Sequence, residues 1–250
     1  MFKVSLVSYS NTLPFRYSLE NSKLSKSYFD LEFCYPSKCF ELINNKNSQI
    51  SLVPVGALIE LDDFRIFSDY CIAAKNKVES VLLLSQKPIN ELNTILLDYQ
   101  SKTSVLLIKI LNQFMWKKDL NFLHTQNGYE QNIINETGGV VIGDRAMKIR
   151  KNYKYAIDLA KEWNNLTGLP AVFAVWVALN SVPQTLIDNL NNIFKNGIDN
   201  LSQVVKFYQK DYPYIDLNYY YSECVDFKFD YAKYRSLNLF LDYVKRLENY

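Results

Sequence analysis

Apolar and polar positions alternate from Val4 to Tyr9, which predicts a strand. The strand runs into Ser10-Asn11-Thr12, and a helix start follows over Pro14 to Leu19. Leu31 to Tyr35 predicts a second strand. PSKCFELINN then reads as a short helix with Ser37 as N-cap and Glu41 in its early turns. QISLVPV predicts a third strand, and GALIELDD a helix after it. This order implies a parallel sheet with crossover helices, an α/β fold.

The middle of the chain repeats the arrangement. ESVLLLSQ, Glu79 to Gln86, is a longer apolar strand. TILLDYQSKTSVLLIKILNQFMW predicts a strand, a polar turn and a helix with Val105, Ile108, Leu111 and Met115 on one face. GGVVIGDRAM is a strand, a Gly-Asp turn and a helix start. YAIDLAKEWNNLTGLP predicts a helix stopped by Gly168, with Pro170 beyond. AVFAVWVAL is another long apolar strand, and Pro183 to Tyr250 predicts helices. The two long apolar strands, near 79–86 and 171–179, bracket a unit of its own. That predicts two lobes joined by two crossings with a cleft between them, as in hinged binding proteins. Residues 1–84 and 174–250 would form one lobe and 85–173 the other.

Small polar groups gather where strands end. They are Ser10-Asn11-Thr12, the segment at Ser80, Ser101-Lys102-Thr103-Ser104 and Gly143-Asp144. Open α/β sheets place ligands at such ends. The Ser101–Ser104 turn opens an apolar helix, whose free N–H groups and positive dipole end suit a carboxylate or phosphate. Each turn also suits a plain helix cap. Asp144 at its helix start suits a structural acceptor better than a catalytic acid.

Composition narrows the chemistry. The chain is 48% hydrophobic and 22% charged, with net charge +2 and no basic block, so nucleic acid is an unsuitable partner. No apolar run is long enough for a membrane span or a signal peptide, and a cytoplasmic protein is expected. Cys34, Cys39, Cys71 and Cys224 form no CxxC and are expected to be reduced. His124 is the single histidine, which excludes a His-based metal cage or a pair of catalytic histidines. Hydroxyls, one amide and helix-start donors describe a cleft for a small anion.

Taken in order, VSYSNTLPF, SLVPVGAL, VESVLLLS, SKTSVLLIKIL, VVIGDRAM, KEWNNLTGLPAVFAVW and VDFKFDYAKYRSLNLFLDYV closely resemble the chorismate dehydratase family, which opens the futalosine route to menaquinone. The resemblance covers nearly the whole chain. It implies a two-lobed type II periplasmic-binding-protein-like fold used as an enzyme. It implies loss of water from chorismate to give 3-[(1-carboxyvinyl)oxy]benzoate, with no metal or organic cofactor. The family's opening asparagine falls on Asn11 and its Val-x-Ser-Val serine on Ser80, which implies catalytic roles for both. Substrate binding would fall to Thr12, Ser101, Thr103, Ser104, Gly143 and Asp144. The chain departs from the family at Ser10, Ser51, Tyr99, Gln100 and Ala171, and Tyr99 with Gln100 could alter the cleft mouth.

Two other readings stand beside this one. The fold also serves solute-binding proteins that do no chemistry. A sister enzyme making 1,4-dihydroxy-6-naphthoate has a histidine in its opening motif, where this chain has Asn11. His124 falls in a loop-like stretch and is expected at the surface. The expected partner is a small molecule, and the expected state a monomer or homodimer.

Overall fold

The computed structural model describes residues 1–248. The chain begins with β1 (Phe2–Val7), α1 (Leu13–Asn21), α2 (Lys23–Tyr28), β2 (Phe29–Cys34), α3 (Pro36–Asn44), β3 (Ile50–Pro54) and β4 (Phe64–Ala74). It continues through β5 (Val81–Ser85), β6 (Thr94–Leu97), α4 (Lys102–Leu111), β7 (Asn121–His124), β8 (Thr137–Ile142), α5 (Gly143–Ile149), β9 (Tyr155–Asp158) and α6 (Leu159–Thr167). It closes with β10 (Ala171–Leu179), α7 (Gln184–Asp199), α8 (Leu201–Tyr208), α9 (Leu217–Tyr219), β11 (Asp226–Lys228) and α10 (Tyr231–Glu248).

These strands form two sheets, ordered β11-β4-β10-β3-β1-β2 and β7-β6-β8-β5-β9. Each sheet has three parallel strands in the order second-first-third, followed by one antiparallel strand supplied across the lobe boundary. In the first sheet that strand is β10, and in the second it is β5. All nine residues of β10 are buried, which explains its unbroken apolar sequence. Trp176 on β10 stacks on Phe194 of α7 at 4.4 Å, and Phe15 of α1 meets both rings edge-on.

Several predicted elements change. The strand β4 is absent from the sequence reading, because its first half is only partly buried and its pairing with β10 is interrupted twice. GALIELDD forms a 3-10 helix over Val55–Glu60 rather than an α-helix. The first four residues of YAIDLAKEWNNLTGLP are β9, which pairs with β5. Asp158 then caps α6 by accepting from Ala160 and Lys161, and Gly168 ends that helix at φ +70°. Ser37 is not a cap, since Pro36 already occupies the first turn of α3. The fully buried residues of α4 include Leu107, Ile108, Ile110 and Leu111, while Val105 and Met115 are only half-buried. The chain passes between the sheets at 75–80 and again at 168–170, a few residues before 84 and 174.

The C-terminal helix α10 packs against both β10 and α4 and so touches both units. Trp163 of α6 donates to Ser236 Oγ of α10 at 2.9 Å. At its start Lys233, 1% exposed, sits 2.7 Å from Asp226 and 3.1 Å from Asp230. Removing one partner of a buried ion pair costs about 3–5 kcal/mol. Both aspartates keep some solvent, so Lys233→Met is expected to lower stability by about 2 kcal/mol. An unchanged urea midpoint would refute this.

Candidate active site

The C-terminal ends of the parallel strands in both sheets converge on one small cavity of about 50 Å³. Its polar lining comes from Tyr9, Asn11 and Thr12 after β1, Ser80 in the first crossing, Ser101 and Ser104 at the start of α4, and Gly143 after β8. Pro36, Pro54, Ile72, Val78, Val81, Ile142 and Phe173 supply apolar walls.

Asn11 lines this cavity, and its buried Oδ1 has no hydrogen-bond partner in the protein. An orphaned buried acceptor is costly unless a ligand satisfies it. Ser80, 1% exposed, accepts from the Tyr220 hydroxyl at 2.8 Å, which leaves its own proton to donate elsewhere. Its carbonyl accepts from Gly143 N at 2.7 Å, so the first crossing is pinned to the start of α5. Ser101 caps α4 by accepting from Ser104 N at 3.3 Å, and the two hydroxyls lie 3.2 Å apart.

The remaining predicted residues play other parts. Thr12 lines the cavity, but its hydroxyl is bonded to the carbonyls of Val7 and Tyr9 and shapes the turn. Thr103 does not line the cavity. Its hydroxyl donates to Phe173 O and accepts from Gly56 N, both at 3.1 Å, and so fastens α4 to the other unit. Asp144 lies outside the lining as well. It accepts from Ser10 N at 3.0 Å and Ser10 Oγ at 2.6 Å, an inter-lobe clasp. The substitution at Ser10, a departure from the family, supplies that second donor. Gly143 is required: its φ is +62°, and a Cβ there would meet the Tyr9 ring at 2.6 Å. His124 is exposed on β7, at an edge of the five-stranded sheet, away from the cavity.

A polar network missed by the sequence reading closes the mouth. Asp98, 2% exposed, bonds Arg145 at 2.5 Å and the Tyr129 hydroxyl at 2.9 Å. Arg145 also holds Glu130 and, at 3.2 Å, Gln100, whose Oε1 in turn accepts from the Tyr9 hydroxyl. Across the same mouth, Ser37 N donates to Gln100 O at 3.0 Å. Gln100 therefore bridges the lobes, which gives physical content to its departure from the family. Burial pushes the Asp98 carboxyl above its usual range, with Arg145 pulling the other way. Burial likewise raises the Tyr9 phenol, and Asp98 adds to the rise. Tyr9 thus stays neutral at ordinary pH, and among the described residues no Asp, Glu, His, Lys, Arg or Cys lines the cavity.

Two lobes closing strand ends over a small polar cavity define the periplasmic-binding-protein-like class. A protein from Archaeoglobus fulgidus superposes with TM-score 0.78 at 12% identity, covering 99% of this chain and 98% of that one. A Candida albicans protein described as having the generic periplasmic binding protein fold gives 0.66 at 13% identity, covering 100% and 94%. The alkanesulfonate-binding protein of Xanthomonas axonopodis pv. citri, bound to MOPS, gives 0.64 at 10%, covering 97% and 92%. Within this class the chain belongs to the menaquinone biosynthesis family, whose profile matches residues 2–246. A chorismate dehydratase of Thermus thermophilus is 27% identical over 165 residues, 58% of this chain and 60% of that protein's length. Among the described residues, no helix is long and apolar enough to cross a membrane.

Proposed function

We propose that this protein is a chorismate dehydratase, a hydro-lyase converting chorismate to 3-[(1-carboxyvinyl)oxy]benzoate and water. The observation that carries the reading is the unpartnered Asn11 Oδ1 in a cavity whose polar lining is mostly hydroxyls. The relative named for this activity supports it. Chorismate offers what such a site lacks: a ring hydroxyl to meet Asn11, and two carboxylates for hydroxyls and a helix start. The reaction breaks the C–H bond at the ring carbon bearing the enol ether. A ring double bond forms, and the neighbouring C–O bond breaks. Aromatisation supplies the driving force, so the protein's share is orientation and charge stabilisation. The Asn11 amide N–H and the Ser80 hydroxyl would stabilise the departing oxygen, and Ser101 and Ser104 would hold a carboxylate.

The cavity lining contains no good base. Carbon acids ordinarily need one within hydrogen-bond reach. The enolpyruvyl carboxylate of the substrate would take the proton, provided the arm is folded over the ring. Asp144→Asn is then expected to lower turnover about tenfold by weakening the Ser10 clasp, with the pH profile unchanged. His124→Ala should leave turnover and pH profile as they are. Abolished turnover in Asp144→Asn with product still bound at wild-type affinity would make Asp144 the base.

Tyr220 would act through Ser80, as a positioning residue. Tyr220→Phe removes one hydrogen bond, about 1.4 kcal/mol, and should lower kcat about tenfold with product affinity retained. Equal losses in kcat and affinity would point to a merely structural role.

The direct test is incubation of the purified protein with chorismate, following the aromatic product by ultraviolet absorbance and NMR. Binding of chorismate without turnover would favour a solute-binding protein. Formation of 1,4-dihydroxy-6-naphthoate from the cyclic futalosine derivative, with chorismate untouched, would favour the sister enzyme.

A further inference from the structure

Cys34 and Cys39 stand apart from the proposed reaction but not from the cavity. Cys34 is the last residue of β2, an edge strand, and is half-buried. Cys39 sits in α3 and is fully buried. Their sulfurs lie 3.1 Å apart as hydrogen-bonded free thiols. The four residues between them are the turn from β2 into the first turn of α3, at the mouth between the lobes. Pro36 lines the cavity, and Ser37 N donates across the cleft to Gln100 O at 3.0 Å. Cys71 and Cys224 have no sulfur partner of this kind.

We propose that Cys34 and Cys39 are a reversible thiol-modification site, closed to a disulfide by a peroxide, and that closing it loosens the Ser37–Gln100 contact. Cys34 is the more accessible sulfur, so it meets the oxidant first. Its thiolate attacks one peroxide oxygen, the O–O bond breaks, and hydroxide leaves to become water. This gives a sulfenic acid. The Cys39 sulfur then attacks the Cys34 sulfur, the S–O bond breaks, and a second water leaves. Two thiols and one hydrogen peroxide thus yield one disulfide and two waters, with two electrons passing from sulfur to oxygen. Burial and the hydrogen bond from Cys34 hold the Cys39 thiol well above its usual range, which assigns it the resolving role.

The coupling follows from distance. A disulfide brings the sulfurs to about 2.05 Å, roughly 1 Å closer than the two thiols stand now. Cys34 is fixed in the sheet, where its carbonyl accepts from Ser8 N at 2.9 Å. The first turn of α3 must therefore move, and it carries Pro36 and Ser37. Packed interiors transmit such small shifts rather than absorb them.

The test is made on the full-length protein with stoichiometric hydrogen peroxide. Trypsin cleaves after Lys38, between the two cysteines, so the bridge is read directly. The expected product is Ser27–Lys38 linked to Cys39–Lys46, released by a thiol reductant and absent in Cys34→Ser. Cys71 and Cys224 should remain free in the same digest. Amide exchange at Ser37, followed by NMR, should quicken about tenfold in the oxidised protein, the loss of about one hydrogen bond. Neither readout depends on the identity of the cavity's ligand. The wild-type digest stands alone should a cysteine variant fail to fold. Absence of the linked pair overturns the proposal, and so does a linked pair with unaltered exchange at Ser37.

Discussion

Asn11→Ala is expected to cut turnover of chorismate on the order of 100-fold or more while leaving the fold intact. The size rests on the loss of a preorganised polar group from the cavity lining. The intact fold rests on what Asn11 does not do. Its buried Oδ1 bonds no protein atom, so truncation orphans nothing. Removing an unsatisfied buried acceptor should leave the melting temperature level or raise it. Ser80→Ala should also cost on the order of 100-fold in turnover, but with a different stability signature. It strands the buried Tyr220 hydroxyl, which bonds Ser80 at 2.8 Å. That orphan should lower stability by about 1–3 kcal/mol. Kinetics and calorimetry on both variants separate the cases. Near-normal turnover in both would sink the site assignment, whereas low turnover with a falling melting temperature in Ser80→Ala alone fits it.

Arg145→Met should be the most damaging substitution for stability, at about 3–5 kcal/mol, because it leaves Asp98 buried and unpaired. The Asp98 side chain has no solvent exposure, and Arg145 is its single ionic partner among the described residues. The pH dependence carries a sign. Burial already raises the folded Asp98 carboxyl above its unfolded value. Without the guanidinium it rises further, so the folded variant binds its proton more tightly than the folded wild type. A raised folded pKa gives stability that is present at low pH and lost as pH rises. The gap between wild type and variant should therefore narrow on acidification from neutral pH toward the carboxylate range. Urea titrations at pH 7 and at about pH 5 measure it; a constant or widening gap would count against this account. The variant should also remove one donor from Gln100, which keeps its bonds to Tyr9, Tyr99 and Ser37.

Much of the site lay open in the sequence because it sits where strands stop. Strand ends are marked locally, by an apolar run breaking into Ser10-Asn11-Thr12, Ser101-Lys102-Thr103-Ser104 or Gly143-Asp144. Side-chain direction at those ends is not marked locally. Ser101 and Ser104 line the cavity while Thr103, between them, turns to Gly56 and Phe173. A helix places consecutive residues about 100° apart, so three neighbouring hydroxyls cannot serve one ligand. Asp144 next to cavity-lining Gly143 diverges in the same way, toward Ser10.

The sequence by itself determined the α/β class and the family resemblance, and it marked Asn11 and Ser80 as candidates. Each of these is carried by periodicity, by a turn or by motif order, all of which are properties of contiguous residues. It did not reveal β4, whose partial burial and irregular pairing erase the alternating pattern. Nor did it reveal β9, whose four residues run directly into a capped helix. Tertiary structure alone decided that Tyr220 holds Ser80 from 140 residues away, and that Tyr9 reaches Gln100 across 91. It alone joined Asp98 to Arg145. The physical reason is that such contacts depend on two sheets packing at a particular separation. No local pattern of side chains encodes that distance.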